Sequence, residues 1–178
     1  MTALVLDDGN RGNFVQAFGI ARRLSAAPAV ERIVFRGPGY RLPGRAGRYP
    51  VSAKAVGVLC ALGLWSAAWR LFQRATGRPA AYWAERRADA VISAGSLLAP
   101  ATALVGRFCG MRSITVMVPA LLGPSAFGAM VVPYHDALRM RRAAPNVVVT
   151  LGAPNGVTRE GLAEAVRRLD AAVPPRTG

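Results

Sequence analysis

The stretch ALVLDDGNRGNFVQAFGIARRL, residues 3–24, changes its hydrophobic period halfway along. Ala3 to Leu6 is an unbroken apolar run, the pattern of a strand buried on both faces, and such strands belong to parallel sheets covered by helices. Past Asp7, Asp8, Gly9 and Asn10 the spacing turns helical, and Phe14, Val15, Phe18 and Leu24 are expected to form one buried stripe. A strand feeding a helix through a Gly/Asn turn is half of a βαβ unit.

The same alternation continues along the chain. RIVFR (32–36), DAVISAG (89–95), SITVMVP (113–119), GAMVVP (128–133) and NVVVTLG (146–152) read as further strands. Between them lie an apolar helical stretch from Ala55 and a helix expected over Leu97 to Phe108, with Gly110 as its C-cap. A closing amphipathic helix, TREGLAEAVRRLDAAV, starts near Thr158 and carries Leu162, Val166 and Leu169 on one side. The expected fold is α/β: a three-layer, Rossmann-like, mostly parallel sheet of about six strands, one domain over residues 1–173, with 174–178 as a frayed tail.

Composition bounds the function. With 178 residues and 52% hydrophobic content the chain can bury a sizeable core. The net charge of +14 and pI near 11.6 point toward acidic partners. Lys54 is the lone lysine, however, and an Arg-, Ala-, Gly- and Pro-rich composition is also what a GC-rich genome produces. The arginine pairs at 22–23, 86–87 and 167–168 and the cluster Arg139, Arg141 and Arg142 are scattered, without interleaved aromatics on which bases would stack, so no nucleic-acid partner is expected. Arg36, Arg41, Arg45 and Arg48 differ, because they sit in a Gly/Pro-rich loop, RGPGYRLPGRAGRYP, that reads either as a soluble loop or as a drape over an anion. Cys60 and Cys109, in apolar surroundings and without a second histidine for a metal, are expected to be buried thiols in a reducing compartment; no metal and no cofactor is expected. MTALVLDDGN enters a strand with no leader pattern, so a cytoplasmic protein is expected. AVGVLCALGLWSAAW (55–69) falls short of the roughly 20 residues needed to span a bilayer. It reads as a core helix, and Trp65, Trp69, Arg70 and Arg74 offer a peripheral contact with the inner face of the membrane through Ala55 to Arg74.

In a parallel sheet of this kind ligands collect beyond the carboxyl ends of the strands. DDGNRGNFVQ is neither GxGxxG nor a P-loop. It leaves a turn in which Asn10, Asn13 and Gln16 face a ligand or, alternatively, the Asp and Asn residues simply cap the helix. ISAGSLLAPATAL places Gly95 and Ser96 at a strand end, where Ser96 either caps the next helix or binds a ligand oxygen. VVPYHD holds the only histidine, His135, beside Asp136; an extended backbone would point the two to opposite faces, and Pro133 ends the strand so that both fall in a loop. VTLGAPNGVT reads as a stiff turn built by Gly152, Pro154, Asn155 and Gly156.

Taken together, DDGNRGNFVQAFGIARRL, ISAGSLLAPATAL, VVPYHD and NVVVTLGAPNGVT resemble the mitochondrial-fission ELM family, whose bacterial members are described as glycosyltransferases of the GT-B type. The resemblance implies a GT-B N-terminal domain holding the acceptor, with a second Rossmann-like domain or chain binding the nucleotide sugar. On that basis the chain is expected to be the acceptor-side half of such an enzyme, transferring a hexosyl group to a sugar or lipid-linked acceptor. Asp8 and His135 are then the candidate catalytic bases, and Gly9, Asn13, Gln16, Gly95, Ser96 and Asp136 the substrate-binding residues. The alternative is a non-catalytic protein that recruits a partner at a membrane surface.

Overall fold

The computed structural model describes residues 1–41, 48–138, 140, 144–157 and 159–172. Arg45, Arg139, Arg141, Arg142, the Thr158 helix start and the expected frayed tail at 174–178 lie outside the described residues, as do the side chains of Arg41, Arg48 and Leu169.

The order of elements is β1 (Ala3–Asp7), α1 (Arg11–Leu24), β2 (Ala29–Arg32), β3 (Gly39–Arg41), β4 (Arg48–Pro50), α2 (Val51–Ala61), α3 (Trp65–Thr76), α4 (Ala80–Ala84), β5 (Ala90–Ala94), α5 (Ala99–Cys109), β6 (Arg112–Val116), β7 (Ala129–Pro133), α6 (Tyr134–Ala137), β8 (Val147–Thr150) and α7 (Arg159–Ala172). Six strands form one sheet in the order β2-β1-β5-β6-β7-β8, every neighbouring pair parallel, while β3 and β4 make a separate antiparallel ribbon. This is the Rossmann-like sheet that the alternating pattern predicts.

Side chains alternate to two apolar layers. Val5, Ile92, Ala94, Ile114 and Val116 face α1, and Leu4, Leu6, Val91, Met130 and Val132 face the layer of α2, α3, α4 and α5. Helix α1 meets the sheet through Ala17 and Ala21, with Phe14 and Phe18 stacked at 5.2 Å beside them. Val15, expected in the stripe, is exposed. Small residues one turn apart let the helix backbone approach the sheet, so the bulky residues flank the contact instead of filling it.

Three local expectations are corrected. The second strand ends at Arg32 rather than running through 32–36, because its partner β1 ends at Asp7; Ile33 makes one more bond, its N–H to the Asp7 carbonyl at 2.8 Å, and the chain then leaves the sheet. The apolar stretch 55–69 is a hairpin of two helices, α2 and α3, broken at Gly63, whose φ of 75° is in the left-handed region glycine adopts without strain. Trp69 is only 8% exposed, stacked on Phe108 and Phe72 at 5.0 and 5.7 Å, and so belongs to the core. Among the described residues no helix is long and apolar enough to cross a membrane. Gly110 caps α5 in the left-handed conformation, as its position predicts.

Cys60 is buried and Cys109 half-buried; both are free thiols, and burial pushes both pKa values up, that of Cys60 to about 11.

Candidate functional site

The chain runs from β1 outward to β2, then returns to place β5 on the other side of β1. Connections therefore depart in opposite directions between β1 and β5, which opens a crevice at the carboxyl ends of these two strands. The turns after them are two of those that the sequence singles out, Asp7–Asn13 and Gly95–Ser96.

The β1 turn is built by its own carboxylates and amides. Asp7 Oδ1 accepts the Gly9 N–H at 2.7 Å, Asp8 Oδ1 accepts the Asn10 N–H at 2.9 Å, and Asn10 Oδ1 accepts the N–H groups of Gly12 and Asn13 at 3.0 and 3.3 Å, which makes Asn10 the N-cap of α1. One helical turn in, Asn13 Nδ2 donates to Asp8 Oδ2 at 3.2 Å. The Asn13 amide also lies against Gly95, whose φ is 85°, so closely that a Cβ there would sit 2.7 Å from Nδ2. Asp8, Asn13 and Gly95 are thus one cluster joining the two turns across the crevice. Gly9, at φ 83°, lies under the Arg32 guanidinium, which pairs with Asp7 at 2.7 Å.

Ser96 does not cap the next helix. Its Oγ accepts the Ala120 N–H at 3.2 Å, fastening the β5 turn to the loop after β6, while α5 begins at Ala99 with no side-chain cap. Gln16 follows Asn13 along α1, and its Oε1 is buried with no hydrogen-bond partner among the described residues.

The YHD segment is a short helix, α6, and not the loop expected. Helical backbone sets neighbouring side chains about 100° apart rather than on opposite faces, and His135 Nε2 stands 3.7 Å from Asp136 Oδ2, with the imidazole exposed and the carboxylate mostly covered. This pair lies beyond β7, three strand spacings from β1, or roughly 14 Å at about 4.8 Å per strand. His135 and Asp8 therefore occupy different parts of the same sheet edge, too far apart to share one proton.

Two features escaped the sequence reading. Met117 leaves β6 with φ 74°, uncommon for a residue with a side chain, at the same edge of the sheet. The TLGAPN segment crosses back to α1, where the Asn155 backbone packs on Gly19; a Cβ on Gly19 would lie 2.6 Å from the Asn155 carbonyl carbon. A glycine facing away from the sheet in the middle of a helix was the available signal for such an approach. Among the described residues no three histidine, cysteine, aspartate or glutamate side chains gather as a metal set.

Neither the comparison with curated proteins nor that with solved structures finds a match. The model of the family Mitochondrial fission ELM1 matches residues 11–177, nearly the whole chain, and the protein belongs to that family.

Proposed function

We propose that the chain is the acceptor-side half of a GT-B-type glycosyltransferase, with a second Rossmann-like domain or chain supplying the nucleotide sugar. The observation that carries this reading is the Asp8–Asn13–Gly95 cluster at the crevice between β1 and β5. Each oxygen of Asp8 accepts one hydrogen bond, from the Asn10 N–H and the Asn13 amide, which holds the carboxylate in one orientation with lone pairs to spare. In transfer Asp8 takes the proton of an acceptor hydroxyl; the hydroxyl oxygen bonds to the anomeric carbon while the bond to the nucleoside diphosphate breaks, its electron pair leaving on the phosphate. Gly9, Gln16 and Ser96 line the acceptor, and His135 with Asp136 contacts its far end or serves as base there.

The test is nucleotide release from UDP- and GDP-sugars by the chain together with the partner that co-purifies with it. A general base contributes about 10²- to 10⁴-fold, so Asp8→Asn should lower the rate by at least the smaller factor. If Asp8→Asn is as fast as the parent and His135→Ala is slow, the base is His135; if both are unchanged, neither has the role.

A second reading, recruitment of a partner at a membrane surface, draws on the α2–α3 turn, where Leu62 and Leu64 are 67% and 51% exposed. These leucines replace the buried Trp69 as the apolar contact. Flotation with anionic liposomes that is abolished by Leu62→Ser with Leu64→Ser supports it, and no flotation of the parent chain removes it.

A further inference from the structure

We propose that the open groove at the end of α3, outside edge strand β2, is a binding site for a phosphate-bearing anion. The groove measures about 460 Å³ and is lined by Arg70, Gln73, Arg74, Gly77, Arg78 and Pro79. Arg70 and Arg74 are one helical turn apart and exposed. A further guanidinium comes from a different element: the Arg36 N–H donates to the Ala75 carbonyl at 2.7 Å, and its side chain lies over Gly77, where a Cβ would be 2.5 Å from Cζ.

Arg70, Arg74 and Arg78 line the groove and Arg36 stands beside it at Gly77, and cations gathered in this way repel one another unless an anion stands among them. Arg78 is neutralised within the fold by buried Glu31, which also accepts from Arg86 and Tyr82. Its Nη2 donates to the Arg32 carbonyl at 2.7 Å and its guanidinium lies 4.9 Å from the centre of the Tyr82 ring, so it forms a fixed wall. Among the described residues Arg36, Arg70 and Arg74 have no carboxylate partner. The dipole at the end of α3 explains a cation in its last turn, which is Arg74, and leaves Arg36 and Arg70 unexplained. Planar guanidinium forks match phosphate oxygens, and the groove is wide enough for a phosphoryl group with more attached. Through Arg32, which bonds to Arg78 and pairs with Asp7, the groove lies at the same sheet edge as the β1 turn. The inference stands on its own geometry whether or not the chain transfers a sugar.

A phosphomonoester or diphosphate in solution and a phospholipid headgroup share this chemistry, and two probes separate them. The chain is titrated calorimetrically with inorganic pyrophosphate, and co-sedimented with phosphatidylcholine vesicles with and without phosphatidic acid, both at about 0.15 M salt. Charge-assisted bonds of this kind predict about tenfold weaker binding for each arginine lost, so Arg70→Gln with Arg74→Gln should weaken it about a hundredfold. Arg22→Gln with Arg23→Gln makes the same change of charge at the last turn of α1 and should leave binding unaltered. Pyrophosphate binding with this dependence assigns a soluble ligand, and the same dependence seen only with phosphatidic acid vesicles assigns a headgroup. Binding to neither probe, or an equal loss in the Arg22/Arg23 variant, would overturn the site and leave only the attraction of the net charge.

Discussion

Strands β5 and β8 both read as apolar runs, yet every residue of β5 is buried while none of β8 is. β5 is central, hydrogen-bonded to β1 and β6, with α1 on one face and α5 on the other. Among the described residues β8 bonds only to β7, and Val148, Val149 and Leu151 are 54%, 51% and 99% exposed, as are Leu162 and Val166 on α7 to 58% and 50%. Equal hydrophobicity thus produces unequal burial, because a strand is covered only where both its edges and both its faces have neighbours.

The largest effect that tests this contrast comes from the covered side. Leu104→Ala in α5 or Phe72→Ala in α3, both fully buried, should each cost about 3–5 kcal/mol in denaturant unfolding. Next is Gly19→Val, which drives a side chain into the Asn155 backbone and should cost about 1–3 kcal/mol. The same variant should speed hydrogen exchange at the Val157 N–H, held at 3.0 Å by the Asn155 side chain, if the crossing segment is released. Val149→Ala in β8 should cost less than about 1 kcal/mol. A loss as large as that of Leu104→Ala would show that β8 is covered in solution and would break the comparison.

The pH dependence sharpens it further. Burial raises the Cys60 thiol from 9.0 to about 11, so the folded state keeps a proton that the unfolded chain releases. The stability this contributes is fully present below pH 9.0 and is lost as the pH rises toward about 11. Cys60→Ala should flatten that limb of the stability–pH curve. On the acid side, Asp89 accepts the Thr2 N–H at 2.6 Å and its hydroxyl at 3.2 Å, which holds its carboxyl below the usual range. Its contribution is present above the ordinary carboxylate pKa and lost as the pH falls through the lowered one; Asp89→Asn removes that small dependence, the least of these effects.

Much of the candidate site was legible because it is local. The turn of Asp7, Asp8 and Asn10 closes through bonds of two or three residues' span, and such bonds follow from residue type and spacing. What was not legible depends on distant partners. Ser96 reads as a cap or a ligand contact and is tied to Ala120, Trp69 reads as part of a core helix that also offers a peripheral contact and is core, and Arg32 draws no notice until β2 pairs with β1 and lays it over Gly9. The histidine turned toward Asp136 because the chain beyond Pro133 is helical for four residues, a choice that a short polar segment does not announce.

By itself the sequence determined the alternation of strand and helix, the parallel sheet that follows from it, the Asn10 and Gly110 caps, and the turns at which the carboxyl ends of β1 and β5 emerge. These depend on periodicity and local hydrogen bonding, which act over a few residues. The tertiary structure decided the strand order that opens the crevice between β1 and β5, the contact of Asn13 with Gly95, the return of Asn155 to Gly19, and the gathering of Arg36 with Arg70, Arg74 and Arg78. Each of those joins residues far apart in the chain, and only the packing of whole elements brings such residues together.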